Sequence, residues 1–243
     1  MDNLVLIRVV SDLSRVLSRA VLKAMRSDGP HRYSLRFEKG ERGFTVAISL
    51  RPELPWLGRP VVRRKRGTGR SDPFVGTCTR ALVGGIVESI EKPGFDRVVV
   101  FGFSRGPALV AELATHKANL ILLGSHREVV ACARHPRSSR QRLAPGASYE
   151  PPTLPGRLLL PEDAGSVDAR VEEAIAEGET SFEAIRRRIF GVGSAGATLI
   201  DGESRRTGKS VGTVLIERLE GIRAGRLDPV IEAEADPLEL ARE

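Results

Sequence analysis

Apolar residues in the opening segment, Leu6, Val9, Val10, Leu13, Val16, Leu17 and Ala20, recur at helical spacing, with Arg8, Ser11, Asp12 and Arg15 between them. That periodicity predicts an amphipathic helix of about five turns. Over residues 21–50 the period shortens to two. Tyr33, Leu35 and Phe37 alternate with Arg32, Ser34, Arg36 and Glu38, and an apolar run at 44–48 follows the turn residues 40–43. Antiparallel strands are expected there. Residues 51–73, rich in Pro, Gly and Arg, predict a solvated loop, and 74–82 a short helix ended by Gly84 and Gly85. Five short apolar runs follow, at 86–90, 97–103, 108–113, 119–123 and 129–133, and their close spacing predicts a second antiparallel sheet. Pro145-Gly146, Pro151-Pro152 and Pro155-Gly156 mark a domain boundary. Helix formers dominate beyond it. Helices are expected over 171–177, over 181–190 with Thr180 or Ser181 as N-cap, from about 195, and over 211–224, before an acidic end from Glu232 that should fray. The predicted class is α+β: a β-rich domain of antiparallel sheets with flanking helices over 1–152, then an all-α domain over 153–243.

Composition narrows what such a chain can be. With 243 residues, 41% of them hydrophobic, it can bury a sizeable core, which excludes disorder as its default state. No run approaches the roughly 18 uncharged apolar residues that a membrane span needs. Asp2, Arg8 and Asp12 interrupt the stretch where a signal peptide would be apolar, so the expectation is a cytoplasmic protein with no membrane partner. Cys78 and Cys132 lie far apart and form no C-x-x-C, giving neither a disulfide framework nor a zinc site. The net charge is +7, and its excess is carried chiefly by Arg, whose guanidinium matches phosphate bidentately. Two stretches concentrate it. Arg59, Arg63, Arg64, Lys65, Arg66 and Arg70 pass without an acid until Asp72, and Arg134, Arg137, Arg140 and Arg142 form the second. A polyanionic partner is expected, with Arg63, Arg64, Lys65, Arg66, Arg137 and Arg140 on its phosphates.

Three short motifs look like enzyme signatures, and context weakens each. Gly102-Phe-Ser104-Arg-Gly106 spells the nucleophile elbow of an α/β hydrolase. A triad then needs an acid followed by a His, yet the last His is His135 and only Glu112 and Glu128 precede it after Ser104. The hydrolase therefore stands only as a minor alternative. Gly191-Val-Gly193-Ser-Ala-Gly196 spells a dinucleotide fingerprint, but Phe182, Ile185 and Ile189 before it have helical rather than strand spacing. Helix, Gly-hydrophobe-Gly, helix is instead the pattern of a helix-hairpin-helix, about 181–203, in which Gly191 and Gly193 permit the turn and the next helix's first amides can hold a phosphate. Gly202 to Ser210 ends in Gly-Lys-Ser with the first Gly misplaced for a P-loop. His31, His116, His126 and His135 stand at no metal-ligand spacing, so neither a metal, a cofactor nor a catalytic residue is expected.

Several segments taken together resemble the NFACT proteins of ribosome-associated quality control, a family that includes RqcH, NEMF and the fibronectin-binding-protein-A-like proteins. They are Leu4-Val-Leu6, Leu82-Val-Gly84-Gly85-Ile86-Val-Glu-Ser-Ile90, Gly94-Phe-Asp96-Arg97-Val98, Ala111-Glu112-Leu113 and Asn119-Leu-Ile-Leu122, then His135-Pro-Arg-Ser138 with Arg140, Arg142, Leu143, Pro145-Gly146, Tyr149 and Pro151-Pro152. The resemblance implies an N-terminal domain similar to that of formamidopyrimidine-DNA glycosylases. The glycosylase chemistry is not carried over, because those enzymes begin with a nucleophilic Pro followed by Glu and this chain begins Met1-Asp2-Asn3. It further implies tRNA binding through Asp96, Arg97 and Glu112, and engagement of an obstructed large ribosomal subunit, where relatives support C-terminal tailing of the nascent chain. The family's Met-Gly-Arg-His-Ser-Asn run is here Ala114-Thr-His-Lys-Ala-Asn119. Family members continue into a coiled coil and a C-terminal RNA-binding domain, so the resemblance leaves three expectations open: a stand-alone short homologue, one half of a split protein whose separate partner chain supplies those parts, or a form that has lost tailing. A DNA-binding relative of the glycosylase fold is the alternative from a different class.

Overall fold

The computed structural model describes residues 3–60, 72–94, 96–135, 141–152, 161 and 163–226, the side chain of Thr115 excepted. The chain divides into two compact units, one comprising Val9–Thr153 and the other Asp2–Arg8 with Leu154–Glu243. Helix α1 (Asn3–Leu17) precedes strands β1 (Val21–Gly29), β2 (Arg32–Lys39), β3 (Arg42–Ser49) and β4 (Trp56–Gly58). After helix α2 (Pro73–Leu82) come β5 (Val87–Glu91), β6 (Val98–Phe103), β7 (Ala108–Glu112), β8 (Asn119–Leu123) and β9 (Val129–Cys132). Helices α3 (Ala164–Ala176), α4 (Ser181–Arg188), α5 (Ser194–Thr207) and α6 (Val211–Arg223) complete the second unit. The strands form two antiparallel sheets in sequence order, β1-β2-β3-β4 and β5-β6-β7-β8-β9, the α+β layout that the patterning predicts.

The two sheets explain two kinds of hydrophobic pattern. In β2, Tyr33, Leu35 and Phe37 are buried while the residues between them are more exposed, which is a sheet covered on one face. Every residue of β7 and β8 is buried, so the second sheet is covered on both faces and its strands read as unbroken apolar runs. One of those faces, with Val98, Val100, Val110, Ile121, Leu123 and Val129, packs under Leu143 and Tyr149. Pro145 and Gly146, read above as a boundary, therefore belong to the β-rich unit: the Gly146 N–H donates to the Val129 carbonyl at 2.8 Å and lays this segment along β9. The sheets are stitched where β1 begins, with the Leu22 N–H on the Gly85 carbonyl and the Val87 N–H on the Ala20 carbonyl.

Helix ends follow local chemistry. Asp72 caps α2, its carboxylate accepting from the Phe74 and Val75 N–H groups, with Pro73 at the first helical position. In the helical unit Thr180 and Glu183 form a reciprocal capping box, as the sequence pattern suggests. Three boundaries differ from expectation. α1 stops at Leu17, because Ala20 passes into the first sheet. α3 starts at Ala164 rather than near 171, capped by Asp163, whose carboxylate accepts from the Ser166 N–H at 2.8 Å. β4 lies inside the segment read as loop, its three residues too short to leave a period.

Candidate functional site

Antiparallel pairing gathers the family-like positions at one end of the second sheet. Val98 pairs with Glu112, and Glu112 with Asn119, so the loop before β6 and the loop between β7 and β8 lie side by side. The Leu113 N–H donates to the Arg97 carbonyl at 2.8 Å and ties the two together. Asp96 holds the other side of Arg97, its carboxylate accepting from the Arg97 backbone N–H at 2.6 Å. Asp96 grips the Arg97 backbone and not its guanidinium. Arg97 is thus pinned at its N–H and its C=O, and its guanidinium has no hydrogen bond or ion pair among the described residues. The exposed residues His116 and Lys117, in a 3₁₀ turn at Thr115–Lys117, occupy the neighbouring loop.

Glu112 does not share that availability. Its side chain is 3% exposed and receives both Nη groups of Arg142, at 2.6 and 2.9 Å, and the Tyr149 hydroxyl at 2.9 Å. Arg142 also donates to the Glu150 carbonyl, and its guanidinium carbon lies 5.8 Å from the centre of the Tyr149 ring. Burial, then Glu112, push the Tyr149 hydroxyl well above the ordinary phenol range. Burial works against the Arg142 charge, but its hydrogen bonds to Glu112 prevail and hold it more firmly protonated. Glu112 therefore anchors the segment that covers the sheet, and presents no acceptor to a ligand.

Asn119 makes a second anchor. Its buried amide accepts from the Arg134 N–H and donates to the Arg134 carbonyl, both at 2.9 Å. The Arg134 guanidinium turns inward to the Ala118 carbonyl at 3.2 Å. The basic stretch 134–142 thus spends its first and last arginines on structure. Arg137 and Arg140, and with them Arg63, Arg64, Lys65 and Arg66, lie outside the described residues. Cys132 Sγ lies 3.2 Å from His135 Nδ1, and burial pushes its thiol up rather than toward thiolate.

In the helical unit, Gly191 adopts φ 79° and Gly193 is the N-cap of α5, with Val192 buried between them. Arg170, Arg187, Arg188, Arg205, Lys209 and Arg218 are all ion-paired to acids within this unit. The motifs that suggested chemistry have other roles. Ser104 lies in a β6–β7 hairpin rather than a strand-to-helix elbow, and its Oγ accepts from the Ile86 N–H at 3.0 Å. Gly208 is the left-handed cap that ends α5 and Ser210 starts α6, so no strand leads into the Gly-Lys-Ser stretch. Among the described residues no group of three His, Cys, Asp or Glu is placed to hold a metal, and no helix is long and apolar enough to cross a membrane.

A family model described as NFACT N-terminal and middle domains matches residues 2–214. Similar solved structures include a fibrinogen-binding protein from Staphylococcus aureus, 17% identical with a TM-score of 0.72, covering 94% of this chain and 83% of that one. The N-terminal part of a fibronectin/fibrinogen-binding protein from Streptococcus suis is 18% identical with a TM-score of 0.69, covering 93% and 84%. The N-terminal domain of the fibronectin-binding protein PavA from Streptococcus pneumoniae is 18% identical with a TM-score of 0.66, covering 93% and 83%. At these identities the likeness is one of fold. No curated protein matches the sequence.

Proposed function

Because the chain belongs to the NFACT family, across its N-terminal and middle domains, we propose that it is a cytoplasmic RNA-binding protein of ribosome-associated quality control, engaging tRNA on an obstructed large ribosomal subunit without catalysis of its own. The observation that carries this reading is Arg97: its backbone is clamped on both sides and its guanidinium is unpaired among the described residues. A rigid root costs little entropy on binding, and a guanidinium can meet a phosphate or a base edge with two hydrogen bonds. The basic stretch around Arg63 adds sequence-independent attraction. The α4–α5 turn is the second contact in this reading, since a helix that starts on Gly193 brings no side-chain acceptor to its first-turn amides.

Arg97→Ala should weaken tRNA binding about tenfold, within the roughly 1 to 3 kcal/mol that a well-made bidentate contact carries. Arg63→Ala should only lower the salt slope by about one. Asp96→Ala should weaken binding as well, although it makes the protein more positive, because the Arg97 N–H loses its acceptor and the loop loosens. The check is tRNA affinity for the three variants at one salt concentration. Equal losses for Arg63 and Arg97, with a gain for Asp96→Ala, would reduce the site to generic electrostatics. Duplex DNA competing as well as tRNA would favour the glycosylase-fold alternative.

A further inference from the structure

Four non-glycine residues among those described hold a left-handed backbone: Arg19 (φ 65°), His31 (59°), Arg105 (73°) and Arg127 (66°). Side chains other than Asn, Asp and His rarely sit there, because Cβ crowds the neighbouring carbonyl. The three arginines arrive by different routes. Arg19 follows the residue that closes α1, where the Ser18 N–H meets the Ser14 carbonyl, and a helix commonly ends at this position on Gly or Asn. Arg105 is the third residue of the turn that the Gly106 N–H closes on the Phe103 carbonyl at 3.2 Å, where a single positive φ calls for Gly or Asn. Arg127 ends the three-residue loop closed by the Gly124 N–H on the Glu128 carbonyl at 2.9 Å, again a glycine position.

All three lie at one end of the second sheet, the end opposite Arg97. The Arg19 N–H donates to the Val87 carbonyl at 3.1 Å, Val87 pairs with Phe103, and Arg105 follows two residues later. Ala108 pairs with Leu123, from which the loop carrying Arg127 departs. The two hairpin turns touch: a Cβ on Gly106 would lie 2.8 Å from Ser125 Cβ. Strands about 4.8 Å apart space successive hairpins by roughly 10 Å. Arg19, Arg105, His126 and Arg127 are exposed, and none of them forms an ion pair among the described residues. The acids at this end, Glu88 and Glu128, are not paired to them; the Glu128 carboxylate accepts from the His126 backbone N–H at 3.0 Å.

Three positions where local sterics call for Gly or Asn are therefore each filled by Arg, always at the same sheet end, and the guanidinium groups make no hydrogen bond within the described fold. The fold gains nothing from them there, and strain of this kind at clustered positions is a mark of function. The geometry points to a second polyanion-binding surface, in which Arg19, Arg105 and Arg127 hold backbone phosphates of RNA at the sheet end remote from Arg97. The choice of RNA as the polyanion rests on the function proposed above; the surface itself rests on the turns. Rigid turns fix the root of each side chain, and each guanidinium fork suits a phosphate.

The test is R19N/R105N/R127N in the full chain, with total tRNA as probe, beside R26N/R42N/R51N, which removes equal charge from exposed positions elsewhere. The first triple should lose about tenfold or more in affinity, and its log-affinity against log-salt slope should fall by about 2 to 3. Its melting temperature should equal or exceed the wild type's, because Asn suits the left-handed backbone. R19K/R105K/R127K, which keeps the charges and the strain but loses the forks, should bind more tightly than the first Asn triple and less tightly than wild type, since Lys still meets phosphate as a point charge. Equal losses in the two Asn triples, or no loss in the first, would overturn this surface even while Arg97→Ala still weakens binding. An intact response to the first triple with none to Arg97→Ala would remove the Arg97 site and keep this one. A wild type that binds no tRNA would remove both.

Discussion

Alanine at Glu112 is expected to destabilise the β-rich unit by about 3 to 5 kcal/mol, the cost of leaving one partner of a buried ion pair uncompensated. Glu112 satisfies both Nη groups of Arg142 and the Tyr149 hydroxyl, and Arg142 and Tyr149 belong to the segment that covers one face of the sheet. Truncation takes the acceptor from Arg142 Nη2 and the Tyr149 hydroxyl, and leaves Arg142 Nη1 only the Glu150 carbonyl. Arg142→Ala should cost nearly as much, because it leaves the carboxylate with the Tyr149 hydroxyl alone. Glu112→Leu combined with Arg142→Met should cost less than the sum of the single changes, since neither charge is then left behind. Urea midpoints for the set read this directly. A loss below about 1 kcal/mol for Glu112→Ala would put the network in the class of exposed pairs. Glu112→Gln keeps the shape and part of the bonding, and at temperatures where it stays folded its tRNA affinity should match wild type. A specific loss of binding there would return Glu112 to a direct role.

Gly212→Ala should cost the helical unit about 3 kcal/mol or more, at the upper end for overpacking. A Cβ at Gly212 would fall inside the Ala164 carbonyl group, where α6 meets the start of α3, and backbone has no rotamer with which to yield. The same contact brings the Gly212 N–H 2.6 Å from the Asp168 carboxylate, a bond that any separation of the helices would stretch. In an isolated helix Ala is favoured over Gly by about 1 kcal/mol, so the expected sign is the reverse of helix propensity. A melting temperature at or above the wild type's would mean that α3 and α6 do not approach as closely as described.

Much of the architecture was legible because burial wrote itself into period. The alternation at Tyr33, Leu35 and Phe37 and the unbroken runs at β7 and β8 both named antiparallel strands, and Thr180 named a helix start. What stayed hidden depends on partners distant in sequence. That Glu112 faces Arg142, thirty residues on, or that Asn119 clamps Arg134, follows from strand register and not from any local signal. Asp96 and Arg97 were found through family resemblance alone, which gave no sign that the carboxylate holds a backbone N–H. The positive φ of Arg19, Arg105 and Arg127 was still less accessible, since Arg at a turn predicts no hand.

On the function proposed above, this chain binds structured RNA by its backbone phosphates, with Arg97 as a fixed anchor. Titrating purified full chain with tRNA over a range of salt, for wild type and Arg97→Ala in parallel, addresses it most directly. Tight wild-type binding is expected at low salt, with a log–log slope corresponding to several released counterions, and Arg97→Ala should lose about tenfold at low salt, a gap that narrows as salt rises because its slope is reduced by about one. Wild-type affinity no better than that of a neutral protein at low salt, or superimposable curves for the two proteins, would contradict it.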